Sequence, residues 1–366
     1  MKKSIKILLS VLVIPLQISI AQIDIEPIWV RVGDSYGAVD VENVTESVEC
    51  AVFSPDEKTI ASGAKKGWDI ILWDVKSGEK IWEDTADEEI EVVNFTQDGK
   101  FLVSGGEDKK LRIWDVKTGE QVKEVDNLAG FDAMDVAHSG HLLAGGDEAG
   151  QILLYDTRTW ETLDLVQQGP DELTGAKKGV HADVNQLHFS KNDKWLLSAG
   201  RNSEVKLWKV TDDHKLKHER TYTGHTGSTK SVRLSPDGKY VAAGAGDGNG
   251  VRIWDFETGV LVDHIPGTGM IMETIEFTPN GEYLFTGGNE GEGKTGAPVE
   301  NPGFENKDGM GHIRAYKVPE GNAKDFKPVL EKPVFRQEFF DFTDDGKFLV
   351  TSHEDGTLRL WNVAYK

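Results

Sequence analysis

From about residue 48 to the C-terminus, short apolar runs alternate with polar positions and are separated by turns rich in Gly, Pro, Asp and Asn. Period-two alternation bounded by such residues is the mark of half-buried strands. No stretch sustains a 3.6-residue period, so helices are at most incidental. Two elements recur in phase. The first is an apolar strand entering a polar turn: "VFSPDEK" (52–58), "NFTQDGK" (94–100), "DVAHSGH" (135–141), "HFSKNDK" (188–194), "RLSPDGK" (233–239), "EFTPNGE" (276–282) and "DFTDDGK" (341–347). Pro, Asp and Gly in "SPDG" suit successive positions of a tight turn. The second is a strand ending in an aromatic, as in "LRIWDVKTGEQV" (111–122). Its seven aromatics are Trp73, Trp114, Tyr155, Trp208, Trp254, Tyr316 and Trp361, spaced 41 to 62 residues apart.

Each unit reads strand, "SPDG" turn, strand, Gly-rich turn, strand ending in "WD", "xTGE" turn, strand. One four-stranded sheet of this size leaves a face uncovered, but seven stacked radially cover one another, and closing the circle removes the end faces. The expected fold is all-β: a seven-bladed β-propeller of four-stranded antiparallel blades, a single domain over 22–366. The last unit has only three strands before the chain stops at Lys366. The run "EPIWVRVGDSYG" (26–37) alternates like an outer strand and has no unit of its own. Residues about 27–33 are therefore expected to pair antiparallel with 357–363 and close the ring.

The paired "SPDG" and "WD" elements resemble the WD-repeat (WD40) family of β-propellers, here of an exported bacterial type. The resemblance implies a tetrad of His, Ser or Thr, Asp and Trp that ties each blade together, because buried polar groups need partners. Matched residue by residue, one blade offers His225, Asp247 and Trp254, with Ala243 in place of the Ser. Another offers His181, Ser198 and Trp208, with Asn202 at the Asp position. Ser104, Asp108 and Trp114 lack a His, as do Thr351, Asp355 and Trp361. All of these are expected to be structural rather than catalytic.

The resemblance also implies that partners bind on the top face, where second-to-third-strand loops and blade-to-blade loops emerge. The two longest insertions, 167–179 and 289–311, are loops of those classes, and loops on a rigid scaffold concentrate binding function. Trp68, in "GAKKGWDIILW", is a large aromatic at a Gly-bounded turn and a candidate interface anchor. Phe304 and Met310, in the longer insertion, and Met270 and Met272, at the start of the sixth inner strand, complete the candidate binding set. Trp29, Trp82 and Trp160 lie on outer strands, where packing between blade edges is expected.

The N-terminus reads as a removable leader: Lys2, Lys3 and Lys6 precede the apolar run "ILLSVLVIPLQISI" (7–20), and Ser19 and Ala21 suit a cleavage site after Ala21. That run is too short for a membrane span, which needs about 20 residues. After its removal no segment is expected to cross a membrane, and the protein is expected in the periplasm or secreted. Formal net charge is −21 over 366 residues, which opposes nucleic-acid phosphates and anionic lipids. The partner expected is a protein or peptide, with a glycan as the alternative. Cys50 is the sole cysteine, so no intramolecular disulfide forms, and its place in "VECAVF" points to a buried thiol.

No motif brings chemistry of its own. "GNEGEGKTG" (288–296) misses the phosphate-cradling pattern and its strand-to-helix setting, and "GDGNG" (246–250) has too few carboxylates for a calcium loop. No catalytic residue, metal site or cofactor is expected. A set of acids or histidines gathered around the central channel from several blades would escape local motifs, and a channel-centred enzyme is the third reading.

Overall fold

A computed structural model describes residues 23–32, 47–65, 69–169, 183–246, 250–266, 270–290, 310–317 and 327–366. Among them are twenty-eight strands, β1 to β28 in chain order, and no helix. They form seven four-stranded antiparallel sheets. Six are made of consecutive strands, so blades 1 to 6 cover 48–85, 90–126, 131–167, 184–222, 229–265 and 270–335. Blade 7 combines β26 (Gln337–Phe342), β27 (Phe348–His353) and β28 (Thr357–Tyr365) with β1 (Ile23–Val32), in the order β1-β28-β27-β26.

The closing strand is longer than its sequence suggests. It begins at Ile23, opposite Tyr365, and ends at Val32, opposite Thr357. Pro27 reads as a strand start because it cannot donate to a ladder, yet the strand passes through it with a register shift between Pro27 and Trp29. An outer edge tolerates both the Pro and the bulge. Ile23 and Ile25 are fully buried and join Phe285, Phe340 and Trp361 in one apolar cluster. The Trp29 indole donates to the Val75 carbonyl at 2.9 Å, as the Trp82 indole does to Val116 at 2.8 Å. These two Trp thus fasten their blades to the next, whereas Trp160, expected on an outer strand, sits in the turn before the strand Thr162–Gln167 at φ 63° and packs on Phe101 of blade 2.

The core consists of clusters shared between neighbouring blades: Cys50, Val52, Ile70 and Leu72 of blade 1, for example, pack with Ile90, Phe95, Leu102 and Trp114 of blade 2. Inner strands fit against the preceding blade where its second strand has no side chain. A Cβ on Gly105 would lie 2.4 Å from the Met134 Cε, and one on Gly146 2.5 Å from a Val184 methyl.

Two junctions carry reciprocal polar clamps. Asp135 of blade 3 accepts the Phe189 amide of blade 4 at 2.5 Å, and Asp193 of blade 4 reaches back to the amides of His138 and Ser139, both at 2.7 Å. Between blades 7 and 1, Asp341 accepts the Phe53 amide at 2.7 Å and Glu57 accepts the Asp344 amide at 2.6 Å. Glu57 and Asp193 occupy the turn position held by Gly in other blades, each at φ 57°. Left-handed backbone costs a non-Gly residue roughly 1 kcal/mol, and the charge-assisted bonds to the neighbouring turn offset it.

Candidate functional site

Every inner strand carries the same irregularity. Its pairing with the second strand skips one residue: Glu49, Glu91, Asp132, Asn185, Lys230, Glu273 or Glu338 in blades 1 to 7. A bulge re-aims the side chain it carries. The burial pattern along inner strands such as Ile90–Phe95 and Phe131–Val136 shows what results: buried positions interrupted at the bulge and again three residues later. Those two positions face the channel, and the others pack between blades.

The seven bulge residues form an upper ring at the end where the inner strands start, and five of them are acids. Burial is the largest influence on Glu49, Glu91, Asp132 and Glu338, and raises each carboxyl pKa above its ordinary value. Neighbouring charge adds to it: Glu338 feels Glu49 and Glu273, Glu91 feels Glu49, and Asp132 feels Glu91. Glu91 is pushed up to about 7 and Asp132 to about 8. These side chains converge, so each added charge works against those already present.

The sectors differ. Over blades 1 to 3, Glu89, Glu107 and Glu148 reinforce the ring, and Lys65 stands against them, its ammonium 3.4 Å from Glu89 and 3.5 Å from Glu91. Burial alone would lower the Lys65 pKa; the carboxylates of Glu49, Glu91 and Glu89 outweigh it and raise it. Oxygens of Glu89, Glu91 and Glu107 lie within 4.8 Å of one another, the one such group among the described residues with spacing suited to a metal ion. Lys65 already places a cation on two of the three. Over blades 4 to 7 bases stand among the acids, with Lys230 3.6 Å from Glu273, Arg336 2.6 Å from Glu354 and Arg201 2.7 Å from Asp183, while Glu338 is still raised by Glu49, Glu273 and Glu354.

Three residues beyond the bulge lies a lower ring of Val52, Asn94, Asp135, His188, Arg233, Glu276 and Asp341. With the "SPDG" turns it lines a cavity of about 910 Å³. Its charged members are engaged: Asp135 and Asp341 in the clamps above, and Arg233 with Glu276. Burial raises Asp135 to about 6 and Asp341 to about 7. Burial, then the charges of Arg233 and His138, hold His188 well below the ordinary imidazole value, so its ring is neutral.

The described tetrad-like residues bond or pack within their own blades. The Trp208 indole donates to Ser198 Oγ at 2.7 Å, and Ser198 donates to Gln168 Oε1 at 2.5 Å. Gln168 thus holds the place for which the sequence offered His181, which lies outside the described residues together with Asp247. The Trp114 indole meets Ser104 Oγ at 2.9 Å, while Asp108 pairs with Arg112. In blade 7, Trp361 donates to Thr351 Oγ1 at 2.9 Å, and His353, from the same strand as Thr351, bonds it at 2.7 Å. His225 packs edge-on against Trp254, with its Nε2 3.2 Å from the Ala243 carbonyl oxygen. With Ala243 in the Ser position, the Trp254 indole turns to the Thr223 carbonyl at 3.2 Å.

Of the candidate binding residues, Trp68 and Phe304 lie outside the described residues, as do most of both long insertions. Met270 and Met310 begin strands Met270–Phe277 and Met310–Lys317, and their side chains are outside the description. Met272 is 1 % exposed, packed with Ile275 and Phe277, and does not line the channel mouth. Neither channel ring was picked out from the sequence. The signal was there: a polar residue near the start of each inner strand and, in six blades, another three positions on, visible once the repeats are aligned on "SPDG".

Four stretches, 83–115, 175–209, 216–255 and 339–362, match the family described as WD domain, G-beta repeat. The chain thus carries repeats of the WD type, folded as a seven-bladed propeller. Similar proteins include the small ribosomal subunit protein RACK1 of Caenorhabditis elegans, 25 % identical over 51 % of this chain and 52 % of that protein. Eukaryotic translation initiation factor 3 subunit I of Aspergillus oryzae is 25 % identical over 50 % of each chain. The WD repeat-containing protein WDS homolog of Arabidopsis thaliana is 23 % identical over 54 % of this chain and 42 % of its own length. The matches span about half the length of such relatives, or less. All three come from eukaryotes, so the likeness carries the WD repeat and lends no support to the exported bacterial type expected from the sequence. No helix among the described residues is long and apolar enough to cross a membrane.

Proposed function

We propose that this WD-repeat propeller is a non-enzymatic scaffold that captures a protein partner by a basic segment laid over the upper mouth of its channel, above blades 1 to 3. One observation carries the reading: Glu49, Glu91 and Asp132 are brought together by consecutive bulges, and among the described residues Lys65 is the base that chiefly opposes their charge. Gathering acids whose ionisation burial opposes works against folding, and groups perturbed in this way mark functional sites more often than chance. An arriving Arg or Lys would relieve the repulsion in a partly dehydrated setting, where such pairs are strongest. The kinship with RACK1 and with a subunit of an initiation factor agrees with a scaffold role. Its export rests on the leader-like residues 1–21.

Fluorescence polarisation with a labelled oligo-arginine peptide tests the site. The expected result is saturable binding that weakens as salt rises and falls at least about tenfold in E91Q/D132N, the equivalent of about 1.4 kcal/mol. Binding of equal strength to parent and double variant would refute it.

A further inference from the structure

We propose that the lower half of the channel, at the opposite face, is a second binding site that takes an uncharged polyhydroxyl ligand of mono- to disaccharide size. The cavity there, about 910 Å³, is within the range of small-molecule sites. The charged residues of the lower ring are committed to the fold: Asp135, Glu276 and Asp341 each accept a backbone amide, and Glu276 also holds Arg233. Three polar residues on the inner strands of its wall are not. The side chains of Asn94, Gln186 and His188, from blades 2 and 4, line the cavity, are partly exposed to it and make no hydrogen bond to any described residue.

The chemistry of these three selects the ligand. Two primary amides and a neutral imidazole each present a donor and an acceptor. A hydroxyl satisfies both from a single atom. An anion meets Asp135, Glu276 and Asp341 and is repelled; a cation finds those carboxylates already engaged. Phe339 offers an apolar face to the same cavity, with the Arg233 guanidinium 5.9 Å from its ring centre, and sugar C–H faces pack on such a surface. This site shares no residue with the upper ring, so it stands or falls separately from the partner-binding reading.

Saturation-transfer NMR on the full chain, with glucose, N-acetylglucosamine and maltose at millimolar concentration as probes, tests the site. The expected result is transfer to at least one sugar, with affinity reduced about three- to tenfold in Q186L and in N94A, as expected for loss of one hydrogen bond. E91Q/D132N is expected to bind that sugar like the parent. Absence of transfer to all three sugars from the parent protein overturns the proposal. Transfer unchanged in both Q186L and N94A, or abolished by E91Q/D132N alone, overturns it as well. The half-exposed Asn94 keeps the test valid if Q186L fails to fold.

Discussion

Replacing Asp132 by Asn is expected to stabilise the protein, and to do so increasingly as pH rises. The carboxyl goes from an ordinary 3.8 to about 8 in the fold, driven by burial and then by Glu91, Glu148, Asp183 and Glu107. The folded state therefore holds the proton more tightly than the unfolded chain. The stability linked to this group is complete below about pH 4 and is lost progressively as pH climbs through 8. At about 1.4 kcal/mol per tenfold in proton affinity, the loss between pH 5 and pH 8 has a ceiling of roughly 4 kcal/mol. Asp132 retains some solvent contact and its neighbours share the same repulsion, so about 2 kcal/mol is the working figure. Asn keeps the shape and cannot ionise. Urea denaturation of parent and D132N at the two pH values reads the difference directly. A D132N advantage that does not grow with pH, or a less stable variant at pH 8, would refute the picture of a carboxyl surrounded by like charge.

The closing strand gives a second prediction: Trp29→Ala, which loses a buried indole and its bond to Val75, is expected to cost about 3–5 kcal/mol, measured by chemical denaturation. Asp193→Gly relieves a left-handed backbone and would gain stability at an isolated turn, yet here it is expected to lower the melting temperature because two bonds to blade 3 go with it; a rise would refute the clamp. Gln168→Ala should destabilise by about 1–3 kcal/mol, leaving Ser198 without its acceptor, and a neutral result would remove Gln168 from that network. Cys50 is 2 % exposed and burial raises its thiol pKa, so a thiol reagent is expected to label it only on unfolding; prompt labelling of native protein would contradict this.

Blade number, strand order and the crossing of the seam by an N-terminal strand were all legible in the sequence, because each depends on local alternation and turn chemistry repeated seven times. The seam's extent was not: Pro27 looks like a boundary, and only the edge position of the strand lets a bulge absorb it. The tetrad was half legible. Ser198 with Trp208 and Ser104 with Trp114 follow from spacing, whereas Gln168 and His353 enter through tertiary proximity at positions no repeat pattern singles out. The channel rings are the clearest case of information that is periodic without being local. Glu49, Glu91 and Asp132 are 42 and 41 residues apart, unremarkable singly, and become one site only when the ring closes.

The register of that closure has a practical corollary. Ile23 and Tyr365 are cross-strand partners, and the Tyr365 hydroxyl donates to the Gly346 carbonyl in a turn of the lower face. Anything joined ahead of Ile23 or beyond Tyr365 leaves the propeller there, opposite the acidic mouth. A protein tethered to a surface by either end would hold that mouth outward, and a short linker between the two would allow new ends to be opened in another blade without disturbing the ring.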